Sequence, residues 1–266
     1  MLVYRSGMNV STQGLRFITN ALRTHRQRIG SRWRVLSSGQ QALMVLAHVR
    51  KGETYHDLAV GFGVGTTTAY RYLREGMEVL AALAPTLEQA IETALKKAYV
   101  SLDGTLLRID RVAMASKGDR AYYSGKHKAH GVNVQVIADP AGRLIWASPA
   151  LPGARHDAGA ARQHAIPAAL AEAGVTTFAD TAYIGAGATI RAPFRRVRRD
   201  PGSRLFVRRE LSTGQKAVNT SISQMRAPGE RANAELKNWR ILQKIRSSPA
   251  HATRLVNAVQ VLILNS

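Results

Sequence analysis

The chain has 266 residues, enough for one large domain or two smaller ones, and its 38 Lys and Arg residues against 17 Asp and Glu residues give a formal net charge of +21. This basic excess favours a polyanionic partner, above all nucleic acid. The absence of cysteine excludes disulfide-built folds, zinc–thiolate sites and cysteine nucleophiles. No segment approaches the roughly 20 apolar residues of a membrane span, and the first residues lack the apolar run of a signal peptide. We therefore expect a cytoplasmic protein with no membrane contact.

The charge is distributed unevenly along the chain. Residues 1–51 hold nine basic residues and no acidic one, residues 52–190 hold thirteen of each sign, and residues 191–266 hold sixteen basic and four acidic residues. A neutral middle thus lies between two basic flanks. Because acidic side chains are tolerated in the middle, this is where we expect a carboxylate site for a metal ion.

The first part of the chain has the pattern of helices. Residues 1–34 form a basic segment that is partly helical in pattern, and residues 35–97 are expected to form an all-α helix-turn-helix domain. Apolar residues at helical spacing predict one helix over 38–51 and another over about 87–97.

The centre of this region has the spacing of a helix-turn-helix corner. Thr54 begins a short helix that ends near Gly61, Gly63 provides a tight turn, and a second helix starts near Thr66. Small Ala59 stands where the two helices must touch. The positions expected to face inward are Leu58, Phe62, Val64, Ala69 and Tyr72.

The second helix of this corner is expected to present polar side chains to DNA. These are Thr66, Thr67, Arg71 and Arg74, types that bind phosphates and base edges. The alternative is a helical hairpin that only packs against the rest of the chain.

From about residue 98 the hydrophobic period changes, and residues 98–266 are expected to form an α/β domain with a mixed sheet flanked by helices. Strands are predicted over 98–102, 131–138, 144–148, 175–179 and 189–194, and helices over 158–173 and 226–246. The basic stretch 195–218 has a weak pattern and is predicted to be a loop that contacts substrate.

Three carboxylates are the candidates for chemistry. Asp103 and Asp180 are each predicted to follow a strand, and residues beyond strand ends face the ligand crevice of an α/β sheet. The third candidate is Glu230, in a segment that places Leu236 and Trp239 on one helical face and Arg226, Glu230 and Lys237 on the other. Three carboxylates that hold two divalent ions would suit phosphodiester chemistry. Each aspartate taken alone is also explained as a turn cap.

Several basic residues are expected to contact the DNA backbone near these carboxylates. Lys126 and Lys128 lie in the segment SGKHKAH, which is predicted to be a basic turn; a zinc pair formed by His127 and His130 is the alternative. The remaining candidates are Arg195, Arg196, Arg226 and Lys237.

Four segments resemble bacterial insertion-sequence transposases with a Harbinger-like DDE domain. They are AYVSLDGTLLRID, YYSGKHKAHGVNVQVIADPAGRLIWASPALPGARHD, TFADTAYIGAGATIRAPFRR and RAPGERANAELKNWRILQKIR, in the order of the family. The resemblance covers about residues 35–255. It implies an RNase H-like catalytic fold in which Asp103, Asp180 and Glu230 form the catalytic triad. This triad is expected to bind two metal ions, either Mg²⁺ or Mn²⁺. The resemblance also implies metal-dependent cleavage and strand transfer of double-stranded DNA at the inverted repeats of an element and at its target, by a homo-oligomer in the bacterial nucleoid.

Two features leave alternatives open. The segment GARHD also matches a family motif, so Asp157 competes with Asp180 as second ligand; we favour Asp180 and expect Asp157 to be the N-cap of a helix. Family members often carry Lys-Gly after the second aspartate, whereas Thr181 and Ala182 stand here. The alternative function is therefore a catalytically weakened, transposase-derived DNA-binding protein.

Overall fold

The computed structural model describes residues 11–109, 119–199, 206–208, 210–245 and 249–266. Its first part is all helical. The helices are α1 (Thr12–Arg28), α2 (Ser38–Lys51), α3 (Tyr55–Phe62), α4 (Thr66–Ala81) and α5 (Leu87–Ala94).

The helix boundaries follow from local capping. Ser37 and Thr86 each begin a helix with a reciprocal capping box, and the Thr54 side chain accepts a hydrogen bond from the backbone N–H of Asp57. Gly63 ends α3 in the left-handed conformation, with φ at 66°. This conformation is open to glycine without strain, so the turn before α4 is confirmed.

The second part contains a mixed sheet. Its strands are β1 (Val100–Arg108), β2 (Tyr123–Ser124), β3 (Ala129–Ala138), β4 (Leu144–Ala147), β5 (Leu151–Pro152), β6 (Thr177–Ala179) and β7 (Ile190–Arg191). Central β1 pairs antiparallel with β3 and parallel with β6, and β6 pairs parallel with β7. The outer edge of β3 carries β2, β5 and β4 in turn. This is the mixed sheet flanked by helices that the sequence predicts, and it agrees with the RNase H-like fold that the family resemblance implies.

Helices cover both faces of the sheet. The remaining helices are α6 (Asp119–Tyr122), α7 (Asp157–Gln163), α8 (Ile166–Glu172), α9 (Thr213–Arg226), α10 (Gly229–Lys237), α11 (Arg240–Gln243) and α12 (Pro249–Leu264). Helices α5, α7 and α8 share one apolar core with β6, while α10 to α12 share the other core with α1 to α4. Across the described residues, no helix is long and apolar enough to cross a membrane.

Several local predictions are wrong. The helix predicted over 158–173 is broken at Ala165, and the helix predicted over 226–246 is broken after Arg226 and again at Trp239, where the backbone leaves the helical conformation. The stretch 195–218 is not one loop: it contains a hairpin of β8 (Val197–Arg199) and β9 (Phe206–Arg208), and α9 begins at Thr213 because Ser212 and Gln215 form a capping box. Strand β1 does not end at Leu102 but continues to Arg108, because β3 pairs with it over its full length. Asp103 therefore lies inside β1 rather than beyond it.

Candidate active site

Asp103 and Asp180 lie side by side on adjacent parallel strands. The parallel pairing of β1 with β6 ends at Leu102 and Ala179, and the two aspartates are the next residues along the chain, Asp103 within β1 and Asp180 directly after β6. Neighbouring strands are about 4.8 Å apart, so the register brings the two carboxylates close together. Asp180 caps a short 3-10 helix, since its Oδ1 accepts a hydrogen bond from the N–H of Ala182 at 2.8 Å. The loop that follows β6 is thereby fixed against Asp180.

Asp157 joins these two aspartates. The N-cap of α7 is His156, so the expectation that Asp157 is the cap is wrong. Its carboxylate instead turns to the sheet, where Oδ1 accepts a hydrogen bond from Asn133 Nδ2 at 2.7 Å. A Cβ atom at Gly104 would stand 2.3 Å from this Oδ1, so glycine next to Asp103 makes room for the carboxylate. The structure therefore brings together Asp103, Asp157 and Asp180.

A buried hydrogen-bond network supports Asp157. The Tyr183 hydroxyl donates to Gln135 Oε1 at 2.6 Å, and Gln135 Nε2 donates to Asn133 Oδ1 at 2.7 Å. Burial raises the pKa of Tyr183 well above its ordinary value, and the charges of Asp157, Asp103 and Asp180 raise it further. All three carboxylates thus act on one phenol. The signal in the sequence is the alternation in β3, where polar Asn133 and Gln135 share one face of an otherwise apolar strand.

Burial and charge act in opposite directions on Asp103. Burial raises the pKa of its carboxyl group, and the Arg226 guanidinium, with Nη2 at 3.9 Å from Oδ1, opposes this shift. Asp180 and Asp157 raise the pKa further. Asn233 Nδ2 donates to the other oxygen, Oδ2, at 2.8 Å. Asp103 is therefore a carboxylate that gains from a nearby positive charge.

Glu230 lies in the first turn of α10 and is exposed. Arg226 and Asn233, which stand four residues before it and three after it, both contact Asp103. Arg226 is the last residue of α9, however, so only Asn233 shares α10 with Glu230. Among the described residues, the carboxylates whose charges act on Asp103 are Asp180 and Asp157, so the structure does not bring Glu230 into the aspartate cluster. The positions predicted to face inward are buried, with Ala232 and Leu236 of α10 and Trp239 and Leu242 at α11 in the core.

The donors at this position suit a hard divalent cation. Carboxylate and amide oxygens are the ligands that Mg²⁺ and Mn²⁺ prefer. Asn233 Oδ1 is buried beside Asp103 without a hydrogen-bond partner, so one donor oxygen is available. Among the residues that the structure describes, no three His, Asp or Glu side chains lie close enough to hold a metal ion as they stand. The oxygen ligands therefore suit a divalent metal ion in their chemistry, but the described side chains are too far apart to enclose such an ion.

Basic side chains surround the aspartates. Lys126 and Arg195 line a cavity of about 520 Å³ together with Asp157 and Asp180. Lys126 Nζ lies 3.3 Å from Asp157 Oδ2, and the Arg195 guanidinium donates to the carbonyl oxygen of Thr181. The pKa of His127 is lowered first by burial and then by the charges of Lys126 and Lys237. The positive charge of Lys237 therefore lies close enough to His127 to lower its pKa, as the charge of Lys126 does, although the two lysines are far apart in the sequence.

Two further basic candidates, Lys128 and Arg196, are exposed. Lys128 lies in the turn between β2 and β3 and has a positive φ of 47°. The segment 125–128 thus forms the basic turn that the sequence predicts.

Helix α4 has one exposed polar face. Its candidate DNA contacts, Thr66, Thr67, Arg71 and Arg74, are all exposed, while Ala69 and Tyr72 are buried as predicted. Arg74 forms an ion pair with Glu78, at 3.0 Å between Nε and Oε1.

Comparisons with known proteins agree with this architecture. Residues 102–263 match the family described as DDE superfamily endonuclease, and residues 34–86 match the helix-turn-helix of DDE superfamily endonuclease. A protein of Streptomyces albus G named "Putative transposase for insertion sequence element IS112" is 31% identical over 207 residues, which cover 77% of this chain and 71% of that protein. No solved structure gives a significant match. The chain therefore belongs to the bacterial insertion-sequence transposases whose catalytic domain is a DDE superfamily endonuclease.

Proposed function

We propose that this chain is an active DNA transposase that binds the ends of its element through α4 and cuts and joins phosphodiester bonds at Asp103, Asp180 and Glu230. The observation that carries the proposal is the position of Asp103 and Asp180 directly after the last parallel pair of β1 and β6, with Asn233 of α10 donating a hydrogen bond to Asp103. Two fixed carboxylates and a third on a neighbouring helix suit the hydrolysis of a phosphodiester.

Asp103, Asp180 and Glu230 would hold the Mg²⁺ or Mn²⁺ ions that DDE endonucleases generally use, with two ions expected. When bound, such ions supply a nucleophilic oxygen and stabilise the leaving oxygen. Arg226 already places a positive charge at Asp103, and Asn233 orients this carboxylate through a hydrogen bond. Arg226 favours the charged form of Asp103, and Asn233 holds the carboxylate in place.

The chain's own cations bind the substrate phosphates. Lys126 and Arg195 point into the cavity that Asp157 and Asp180 line, so a DNA strand seated there has its backbone charge neutralised on two sides. Arg195 also supplies a cation beside Thr181, next to the position where other family members often carry lysine. This supports the active enzyme over the catalytically weakened DNA-binding protein.

The proposed substrates are the terminal inverted repeats of an element and its target DNA in the bacterial nucleoid, bound by a homo-oligomer. Exposed Arg71 and the threonines at the start of α4 would contact base edges and phosphates. The same helix is anchored by its buried face, so it is a rigid platform for this contact.

A nicking and strand-transfer assay in Mg²⁺ tests the assignment. Asp103→Asn, Asp180→Asn and Glu230→Gln should each abolish cleavage and leave duplex binding nearly intact. Glu235→Gln is the matched control, because Glu235 lies on the same helix near Arg50 and away from the aspartates. Full cleavage by Asp103→Asn would refute the triad.

The same assay decides between Asp157 and Asp180. Asp157→Asn should reduce cleavage less than Asp180→Asn does. If Asp157→Asn is inactive and Asp180→Asn cuts normally, Asp157 is the second ligand instead. If the wild-type chain binds duplex DNA and no metal gives cleavage, the DNA-binding protein is the correct alternative.

A further inference from the structure

A second cavity, of about 600 Å³, lies between the helix-turn-helix and the catalytic domain. One wall is the turn from α2 to α3, with Lys51 and Tyr55, and the other is α11 and the residues after it, with Arg240 and Lys244. We call this cavity the interdomain cleft. None of its residues belongs to the active site described above.

The interdomain cleft is basic. Lys51, Arg240 and Lys244 line it, and Glu53 is the single acidic residue among its lining residues. The three cations come from two separate parts of the chain. They therefore converge only in the folded structure, which is the arrangement of a site for an anion rather than of a solvated charge run.

The walls of the cleft are held by direct contacts. The Arg50 guanidinium lies 4.9 Å from the centre of the Trp239 ring, and His48 Nδ1 lies 2.8 Å from the carbonyl oxygen of Glu53. A Cβ atom at Gly52 would stand 3.4 Å from Cβ of Arg240, so the two walls approach each other closely there. The cleft is thus preformed and does not need a partner to shape it.

The cleft lies between α4 and the aspartates. Tyr55 in its wall contacts Tyr70 of α4 edge to face, with ring centres 5.5 Å apart. In the other direction, Arg240 begins α11, which directly follows α10 in the chain, and Asn233 of α10 donates a hydrogen bond to Asp103. A duplex that is read by α4 and cut at Asp103 must pass over this interval.

We propose that the interdomain cleft binds the sugar–phosphate backbone of duplex DNA between the sequence read by α4 and the bond that is cut. The inference rests on the proposed function, because it takes α4 and Asp103 as the two ends of the path. Lys51, Arg240 and Lys244 each face one or more phosphates, and the contact carries no sequence information.

Salt-dependent binding to a labelled random-sequence duplex tests the proposal. The double variant Lys51→Gln with Lys244→Gln removes two cations of the cleft. Each lost phosphate contact flattens the slope of log affinity against log salt by about 0.9, so a loss of about 2 is expected. The matched control is Lys96→Gln, an exposed lysine after α5 on the other face of the sheet, which should leave the slope unchanged.

Crosslinking gives a readout that does not depend on the lysines. The chain has no cysteine, so Gln243→Cys in the cleft and Lys96→Cys outside it each create a single labelling point for a photoreactive group. The first should crosslink to the duplex and the second should not. If the two cysteine variants crosslink equally, or if the double variant has the same slope as Lys96→Gln, the proposal for the cleft is overturned while duplex binding by the wild-type chain stands. Loss of duplex binding by the wild-type chain itself would instead refute the proposed function.

Discussion

Removal of the Tyr183 hydroxyl tests the network that supports the aspartates. Tyr183 is fully buried and donates a hydrogen bond of 2.6 Å to Gln135 Oε1, which is buried too. Tyr183→Phe leaves this acceptor without a partner, and an unsatisfied buried group costs about 1–3 kcal/mol. In a chain of about this length, each kcal/mol lowers the Tm by about 2–4 °C. A loss of several degrees is therefore expected.

The same substitution should weaken metal binding. Gln135 orients Asn133, and Asn133 in turn holds the Asp157 carboxylate next to Asp103. Once Gln135 can turn, the negative charge of Asp157 is held less firmly beside the proposed ligand Asp103, so the affinity for Mn²⁺ should fall together with the Tm. Thermal unfolding followed by circular dichroism measures the first effect, and calorimetric titration with Mn²⁺ measures the second.

Tyr99→Phe is the matched control for this experiment. The Tyr99 ring packs edge to face on Phe178, and its hydroxyl has no hydrogen-bond partner among the described residues. Its removal should change neither the Tm nor the Mn²⁺ affinity. If Tyr183→Phe behaves like Tyr99→Phe, the network does not stabilise the site and the reasoning is refuted.

Three further predictions concern single charges. Burial raises the pKa of Asp103, so the folded chain binds this proton more tightly than the unfolded chain, and the charged form costs stability above about pH 4. Asp103→Asn should therefore raise the Tm at pH 7 in EDTA, and this gain should vanish below about pH 4. An unchanged Tm at pH 7 would contradict the prediction. Arg71→Ala should cost about 1–3 kcal/mol of discrimination between the element's end and random DNA. Arg74→Ala should cost less, because Arg74 is already paired with Glu78. If Arg71→Ala weakens binding to both DNAs equally in a competition assay, Arg71 does not recognise bases. Arg195→Gln should slow cleavage and flatten the salt slope by about 0.9, and normal cleavage would show that this guanidinium does not face DNA.

The elements with a strong local pattern could be predicted from the sequence. Among the predicted inward positions of the helix-turn-helix, Leu58 and Ala69 are buried and Phe62 and Val64 are partly buried, and Gly63 ends α3 as its turn requires. Strand β6 ends directly before Asp180. In these places the apolar period and the local turn chemistry agree with the tertiary structure, so the local sequence was sufficient to predict these elements.

Other features depend on contacts that are distant in the sequence. Asp103 and Gly104 are poor strand residues, so the sequence predicts an end of β1 where antiparallel pairing with β3 continues it. Asp157 looks like a helix cap, and only the position of α7 over the sheet turns its carboxylate to Asn133. Neither local propensity nor hydrophobic period contains this information.

The packing of α12 bears on how a cut site is chosen. This helix packs against α4 and β4 in one apolar core, and Gln260 accepts a hydrogen bond from the N–H of Ala147 in β4 at 3.0 Å. On the other side, Arg254 forms an ion pair with Glu78 of α4, at 3.3 Å. Helix α4 is therefore fixed to the sheet that holds Asp103 and Asp180. For a transposase that reads DNA through α4, the distance along the duplex from the recognised sequence to the cut bond is then set by the fold itself, since close-packed cores deform little.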